Sequence, residues 1–445
     1  MAKRAAAAEK KKAARAKQGS PGKKKPAAAA KRPKKPRRQK PLLVVFDPVE
    51  QARERDRAPV GPRWFPWACQ GRVAARSAAI RERLGPPLEL LWEASLKAAP
   101  SAAPVAADDG AVYLGDRDGR LLVFELETGR PRPPLRTDPI REASPAWPLV
   151  AQRLVPPDRV PVSASPALHA WHLFFGDDEG IFYGVRRGEN TVLWRKAAAL
   201  SLAARQGGAY LAPLCAGELV VTLDQDGNLY AADGRSGRTA FALFLRGRPA
   251  APPALAPWRD LVLAATRPLF PGESSRLHAV ALDGERRWHQ DLPFAPGPAL
   301  LATQDLVLVG GEQGLLAFGT ERGEPRWRAE SPAVVGPAAI GPDRVLCPLL
   351  DGVGAWDLQG TLLWRTPADK RGHPTPLPGA GLLLAGDVVW GACARGLFAL
   401  DAGSGELLHR ERLPGDPAGG AVAAGERLLV ATSGRVLRAY RATPG

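Results

Sequence analysis

Apolar residues along this chain fall into short runs separated by turn residues, and from about residue 88 onward one phrase keeps returning. It is clearest at residues 218–241, ELVVTLDQDGNLYAADGRSGRTAF. Residues 219–223 and 229–232 are of strand length and rich in β-branched, aromatic and other apolar side chains. Asp226-Gly227 between them offers the positive φ that a tight hairpin needs. A Ser-Gly turn then leads to a further strand, so each copy predicts a hairpin with a third strand behind it.

The phrase occurs eight times. Its hairpin turns fall at Asp118-Gly119, Glu179-Gly180, Asp226-Gly227, a longer loop through Pro271-Gly272, then Gln313-Gly314, Asp351-Gly352, Arg395-Gly396 and Ser433-Gly434. Gly119 and Gly434 are 315 residues and seven steps apart, an average of 45. That period, with about four short strands per copy, is the length of one propeller blade. The expected fold is all-β: a β-propeller of eight four-stranded blades over residues 88–445. In copies four, five and six a Trp stands four residues after the second turn's glycine, at Trp288, Trp327 and Trp364. The last copy reaches Pro444-Gly445 before its Trp strand. Residues 88–92, LELLW, can supply that strand from the other end of the repeats and so close the ring.

Composition supports many short strands. The 47 Gly and 45 Pro are spread over turn positions instead of forming one low-complexity block. Charge is far less even. Residues 1–40 hold 17 Lys/Arg against Glu9 alone, which is +16 of the chain's +17, so residues 41–445 carry only +1. With almost no large apolar residue, residues 1–40 cannot offset the entropy of ordering and read as a disordered tail. Residues 41–87 form a connecting segment. In it, Asp47-Pro48 opens a short helix through Arg57, an aromatic cluster at residues 63–67 is expected to pack on the repeat body, with a partner site as its alternative use, and residues 71–84 form a second short helix ended by Gly85. No apolar run reaches the roughly twenty residues of a membrane-spanning helix, and the positive N-terminus lacks the apolar core of a secretory signal. A cytoplasmic location and a monomer are the expectations.

The succession of apolar strand, xDG, LxALD, TG or SG turn and Trp resembles the repeat of the pyrroloquinoline-quinone-type propellers, among them quinoprotein dehydrogenases and the propeller lipoprotein of the outer-membrane barrel-assembly machinery. The best copies are Ala231-Ala232-Asp233 with Ser236-Gly237, Ala281-Leu282-Asp283, and Ala399-Leu400-Asp401 with Ser404-Gly405. In copy one Glu127 stands for the Asp, and in copy five Gly319. The Trp position holds Pro133, Phe241 and His409 in copies one, three and seven. The resemblance implies quinone and calcium chemistry for the family's enzymes. Their vicinal Cys pair is missing here, so no catalytic residue is carried over and no cofactor is expected.

Other chemistry is sparse. Cys69, Cys215, Cys347 and Cys393 are scattered without a CxxC pair and read as apolar fillers. The DQDGN turn at 224–228 places its Gly too early for an EF-hand loop and reads as a hairpin, as do residues 116–119 and 177–180. His169 and His172 are the only close histidines. Functionally, the chain is expected to be a non-enzymatic binding or scaffold propeller mediating protein–protein interaction, its partners meeting loop insertions at 131–166 and 267–275. The competing class is a quinone-dependent oxidoreductase, or another small-molecule enzyme, using the central channel. In the tail, Lys23, Lys24, Lys25, Lys31, Arg32, Lys34, Lys35, Arg37, Arg38 and Lys40 are the candidates for non-specific nucleic-acid contact through phosphate neutralisation. A solubilising role and contact with acidic lipids remain the tail's alternatives.

Overall fold

Alternating inward apolar positions and regularly spaced turns give eight antiparallel sheets in sequence order, one per copy. The computed structural model describes residues 69–73, 76–137, 160–178, 180–197, 210–256, 258–368 and 372–444. Blade 1 runs Val105–Ala106, Ala111–Gly115, Arg120–Glu125 and Pro131–Arg136. Blade 3 runs Leu214–Ala216, Leu219–Leu223, Asn228–Asp233 and Thr239–Phe244. The others repeat that order from the inner strand outward. Second and third strands are almost wholly buried, as in Val388–Cys393 of blade 7, whereas outer strands alternate, as in Leu407–Arg412. The apolar core thus lies between the faces of neighbouring blades. The chain is an eight-bladed β-propeller.

Blade 8 is assembled from both ends of the described region. Its inner three strands are Val422–Ala424, Arg427–Thr432 and Val436–Pro444, and its outer strand is Leu84–Ser95, antiparallel to the last of these. The closing strand begins four residues earlier than the LELLW motif indicates. It carries two irregularities in register, one of them spanning Pro86-Pro87.

Neighbouring blades are joined by a repeated contact between a Trp and a glycine. Trp92, Trp194, Trp288, Trp327 and Trp364 each sit on an outer strand and donate Nε1–H to a carbonyl of the next blade: Leu126, Gly234, Thr320, Leu358 and Ala402, at 2.8 to 3.2 Å. Each ring covers the glycine of that blade's last turn, Gly129, Gly237, Gly323, Gly360 and Gly405, so closely that a Cβ there would lie 2.4 to 2.7 Å from the indole. Opposite each Trp in its own sheet is a small residue, Ala439, Gly184, Ala279, Ala317 and Ala355 respectively, which lets the ring lie flat. The Ala of LxALD and the Gly of TG are therefore the two halves of one inter-blade joint. Phe241 makes a smaller version against Gly284. Blade 8 has no covalent turn between its last two strands to supply such a glycine, and the Trp position of blade 7 holds His409.

Two alignments in copy one are corrected by register. Glu125, not Glu127, takes the Asp position: its carbonyl accepts Gly129 N–H and its carboxylate accepts the Thr128 hydroxyl at 2.9 Å. Arg132, not Pro133, lies opposite Val123, because the bulge that shifts the other outer strands falls elsewhere in this blade.

The helix expected at 71–84 is absent; among the described residues there is no helix at all, and hence none long and apolar enough to cross a membrane. Arg72, Arg76 and Ala78 have φ of 69°, 63° and 48°, which breaks any right-handed turn there. The backbone groups instead serve the propeller's axis. The helix at 48–57, the aromatic cluster at 63–67 and the tail lie outside the described residues.

Candidate functional site

A propeller offers three places for function: its axis, its two loop-bearing faces and its outer wall. Here the axis is occupied by the chain itself. Arg76, only 7% exposed, donates Nε–H to the Pro253 carbonyl at 3.0 Å and Nη2–H to those of Ala212 and Pro213 at 2.8 and 3.3 Å, all just ahead of the inner strands of blades 3 and 4. Its Nη1 reaches Gln70 O. One residue later, Ser77 O accepts Ile340 N–H of blade 6 at 2.8 Å, and Ala78 O accepts Leu384 N–H of blade 7 at 3.0 Å. Ala79–Ile80 then pairs in parallel with Leu383–Ala385, adding a fifth strand to blade 7 on its channel side. Blades 3 and 7 are opposite each other in a ring of eight, so within five residues this segment spans the axis. Arg83 leaves it through an ion pair with Asp387 at 2.7 Å, and the chain continues directly into the closing strand at Leu84.

Arg76 is a buried cation satisfied entirely by carbonyl dipoles, and burial holds its pKa below the ordinary arginine range. Cys69 and Cys215 are near neighbours of this guanidinium; burial pushes both thiols up, against the pull of Arg76. They and Cys347, raised by burial as well, are free, as is Cys393. Protonated, enclosed thiols of this kind are fillers.

The acidic turns are structural. Asp224, 1% exposed, takes the backbone N–H of Asp226 and Asn228 on one oxygen, at 3.0 and 2.9 Å. Its other oxygen accepts Asn228 Nδ2 at 2.8 Å and the Tyr230 hydroxyl at 3.1 Å. Asp177 repeats this with Ile181 N–H and Tyr183 OH, and Asp116 with Arg120 N–H and Nε. The residue that builds each turn is thus the first Asp, two before the one beside Gly227 that the sequence reading emphasised. Among the described residues no three His, Cys, Asp or Glu side chains come together as a metal site. His169 and His172 face each other across a turn of blade 2. Burial lowers both pKa values, that of His172 to about 4.

Strand alternation puts the second-to-third-strand turns and the blade-to-blade connections on one face. The loop after Leu261–Arg267 is the longest of those turns, held at its base by Arg267 Nε to Pro296 O at 2.9 Å. At its tip Leu269 and Phe270 are exposed, Phe270 by 65%, and Leu350 of blade 6 is exposed on the same face. The insertion at 131–166 contributes blade 1's outer strand and lies outside the described residues from 138 to 159. All the tail candidates, Lys23 to Lys40, also fall outside them.

With eight blades of this repeat, the kinship can be stated. Residues 142–345 and 349–445 match the family described as "Outer membrane protein assembly factor BamB". The chain belongs to this BamB-like family of quinoprotein-type propellers. No curated protein matches the sequence. Among solved structures, BamB from Moraxella catarrhalis is 16% identical with a TM-score of 0.59, covering 80% of this chain and 100% of that one. A europium-containing methanol dehydrogenase is 12% identical, TM-score 0.61, over 82% and 88%. The quinohemoprotein alcohol dehydrogenase of Comamonas testosteroni is 13% identical, TM-score 0.64, over 87% and 82%. At these identities the likeness is one of fold, shared by an assembly factor and by oxidoreductases. Among the described residues no metal-ligand cluster is present, and residues 76–80 cross the axis.

Proposed function

We propose that this BamB-like propeller is a non-enzymatic binding scaffold that docks a protein partner on the face bearing the blade 4 loop. The observation that carries the reading is the exposed Leu269-Phe270 tip on a loop whose base is pinned: an apolar pair presented to solvent on a rigid support is how a protein anchors a partner. Membership in a family described as an assembly factor favours the same reading. The occupied axis argues against the small-molecule alternative, which needs that space. The test compares proteins retained by the immobilised wild-type chain and by a Leu269→Asp/Phe270→Asp variant of unchanged melting temperature. A partner held by the first and lost by the second supports the proposal; identical sets of retained proteins refute it.

The basic tail adds a second element on the strength of its +16 charge alone: a tether to nucleic acid, acting by counterion release.

A further inference from the structure

Internal repetition lets one blade be read against its sisters, and one position in blade 7 breaks a rule that blades 5 and 6 keep. In blades 5 and 6 the residue following the Trp position reaches the residue just before the hairpin glycine. In blade 5 these are Arg328 and Gln313, joined by Nη2–H to Oε1 at 3.2 Å, with Glu330 also 3.6 Å from Arg328. In blade 6 they are Arg365 and Asp351, an ion pair. In blade 7 they are Arg410 and Arg395, and the position of Glu330 holds Arg412. An arginine with its own side-chain acceptor has thus become three arginines without a carboxylate partner, Arg410 reaching the Cys393 thiol instead.

The three line a cavity of about 650 Å³ with Cys393, Leu397 and one acid, Glu411. Gly396 lies in the same lining, where a Cβ would be 2.7 Å from Glu411 O and 3.3 Å from Cys393 Sγ. Glu411, the acid nearest in sequence, sits in the alternate register column and is 3.5 Å from the Tyr440 hydroxyl and 3.6 Å from His409 Nε2. The Asp416 carboxylate accepts Arg395 N–H from the backbone at 2.8 Å. Among the described residues no carboxylate pairs with the guanidinium of Arg395, Arg410 or Arg412. Like charges placed close together across a strand pair repel, and in blade 6 the corresponding corner sets a carboxylate, that of Asp351, beside its arginine.

We propose that the outer corner of blade 7 is a binding site for a phosphoryl group, whose oxygens take the place that the Asp351 carboxylate fills in blade 6. Guanidinium forks match a tetrahedral dianion by paired hydrogen bonds, and three of them supply the charge for two or more negative charges. The cavity admits either free phosphate or the phosphoryl end of a small ester.

The decisive variant is Arg395→Asp, which restores the blade 6 arrangement; Asp tolerates the φ of 49° at this position. Titration of the full chain by calorimetry uses orthophosphate and phenyl phosphate in turn, at constant ionic strength. The basic tail is present in both proteins, so its contribution cancels. The expected result is saturable binding to the wild type and an affinity at least about tenfold weaker for Arg395→Asp, with the variant's melting temperature in chloride equal to or above wild type. Equal affinities for the two ligands assign a free ion, and tighter binding of phenyl phosphate assigns a phosphate ester. Absence of saturable binding to the wild type, or undiminished binding to the variant, overturns the proposal.

Discussion

Truncating Trp92 measures how the ring is held shut. This indole, half-buried on the N-terminal strand, covers Gly129 of blade 1 and donates to Leu126 O at 2.9 Å. A fully buried Trp→Ala change costs about 3–5 kcal/mol; half that, with roughly 1 kcal/mol for the hydrogen bond, gives a loss of about 3 kcal/mol for Trp92→Ala. Leu90, on the same strand and 48% exposed, contributes under about 1 kcal/mol when truncated. A unit of this size loses roughly 1.5 °C per kcal/mol, so thermal unfolding should fall by about 4 °C for Trp92→Ala and by about 1 °C or less for Leu90→Ala. Limited proteolysis of Trp92→Ala should also cut within Leu84–Ser95 before any other blade. Equal shifts for the two variants, or a first cut elsewhere, would show that the strand does not close the ring through this joint.

Other outcomes follow from the same geometry. Gly360 and Gly188 have φ of 89° and 81°, but a Cβ on the first would lie 2.7 Å from the Trp327 indole while the second faces open space. Gly188→Ala should therefore cost about 1 kcal/mol of backbone strain and Gly360→Ala roughly 2 kcal/mol more from overpacking, read by denaturant midpoint. Burial depresses the pKa of His172 and His278 to about 4 from an ordinary 6.5. The unfolded chain thus binds protons that the fold does not, and stability present above pH 6.5 is lost as pH falls toward 4, by up to about 3 kcal/mol for each. His278→Gln should flatten that slope in a pH series of melting curves; an unchanged slope contradicts the burial argument. Deleting residues 1–40 should weaken non-specific nucleic-acid binding and reduce its salt dependence; an unchanged salt slope excludes the tether. Adding quinone and calcium should leave the melting temperature where it was, and a rise would revive the oxidoreductase reading.

The repeat, the eight blades and the closing strand were legible because hairpin turns such as Asp351-Gly352 and joints such as Trp327 over Gly360 depend on local residue types at fixed spacing. The helix at 71–84 was misread for a physical reason. Its alanines and arginines have good helix propensity, but Arg72, Arg76 and Ala78 take positive φ, and Arg76, Ser77 and Ala78 bond to strands more than a hundred residues away. No local signal carries that information. The corner at Arg395 and Arg410 was hidden differently. Both residues are visible in sequence, but only the folded blade reveals that they line one cavity, at the positions where blade 6 sets Asp351 against Arg365.

The occupied axis is the claim on which the choice between scaffold and enzyme turns, and hydrogen exchange resolved by peptide reads it directly. Ser77, Ala78 and Ile80 accept the amides of Ile340, Leu384 and Gly386 at 2.8, 3.0 and 3.2 Å. In the full chain the amides of Ile340, Leu384 and Gly386 should exchange as slowly as those of buried second strands, and Arg76→Met should speed them selectively while Val430 and Val389 stay protected. Fast exchange of those three amides in the wild type would mean that residues 76–80 do not fill the axis, and the channel would again be open to a ligand.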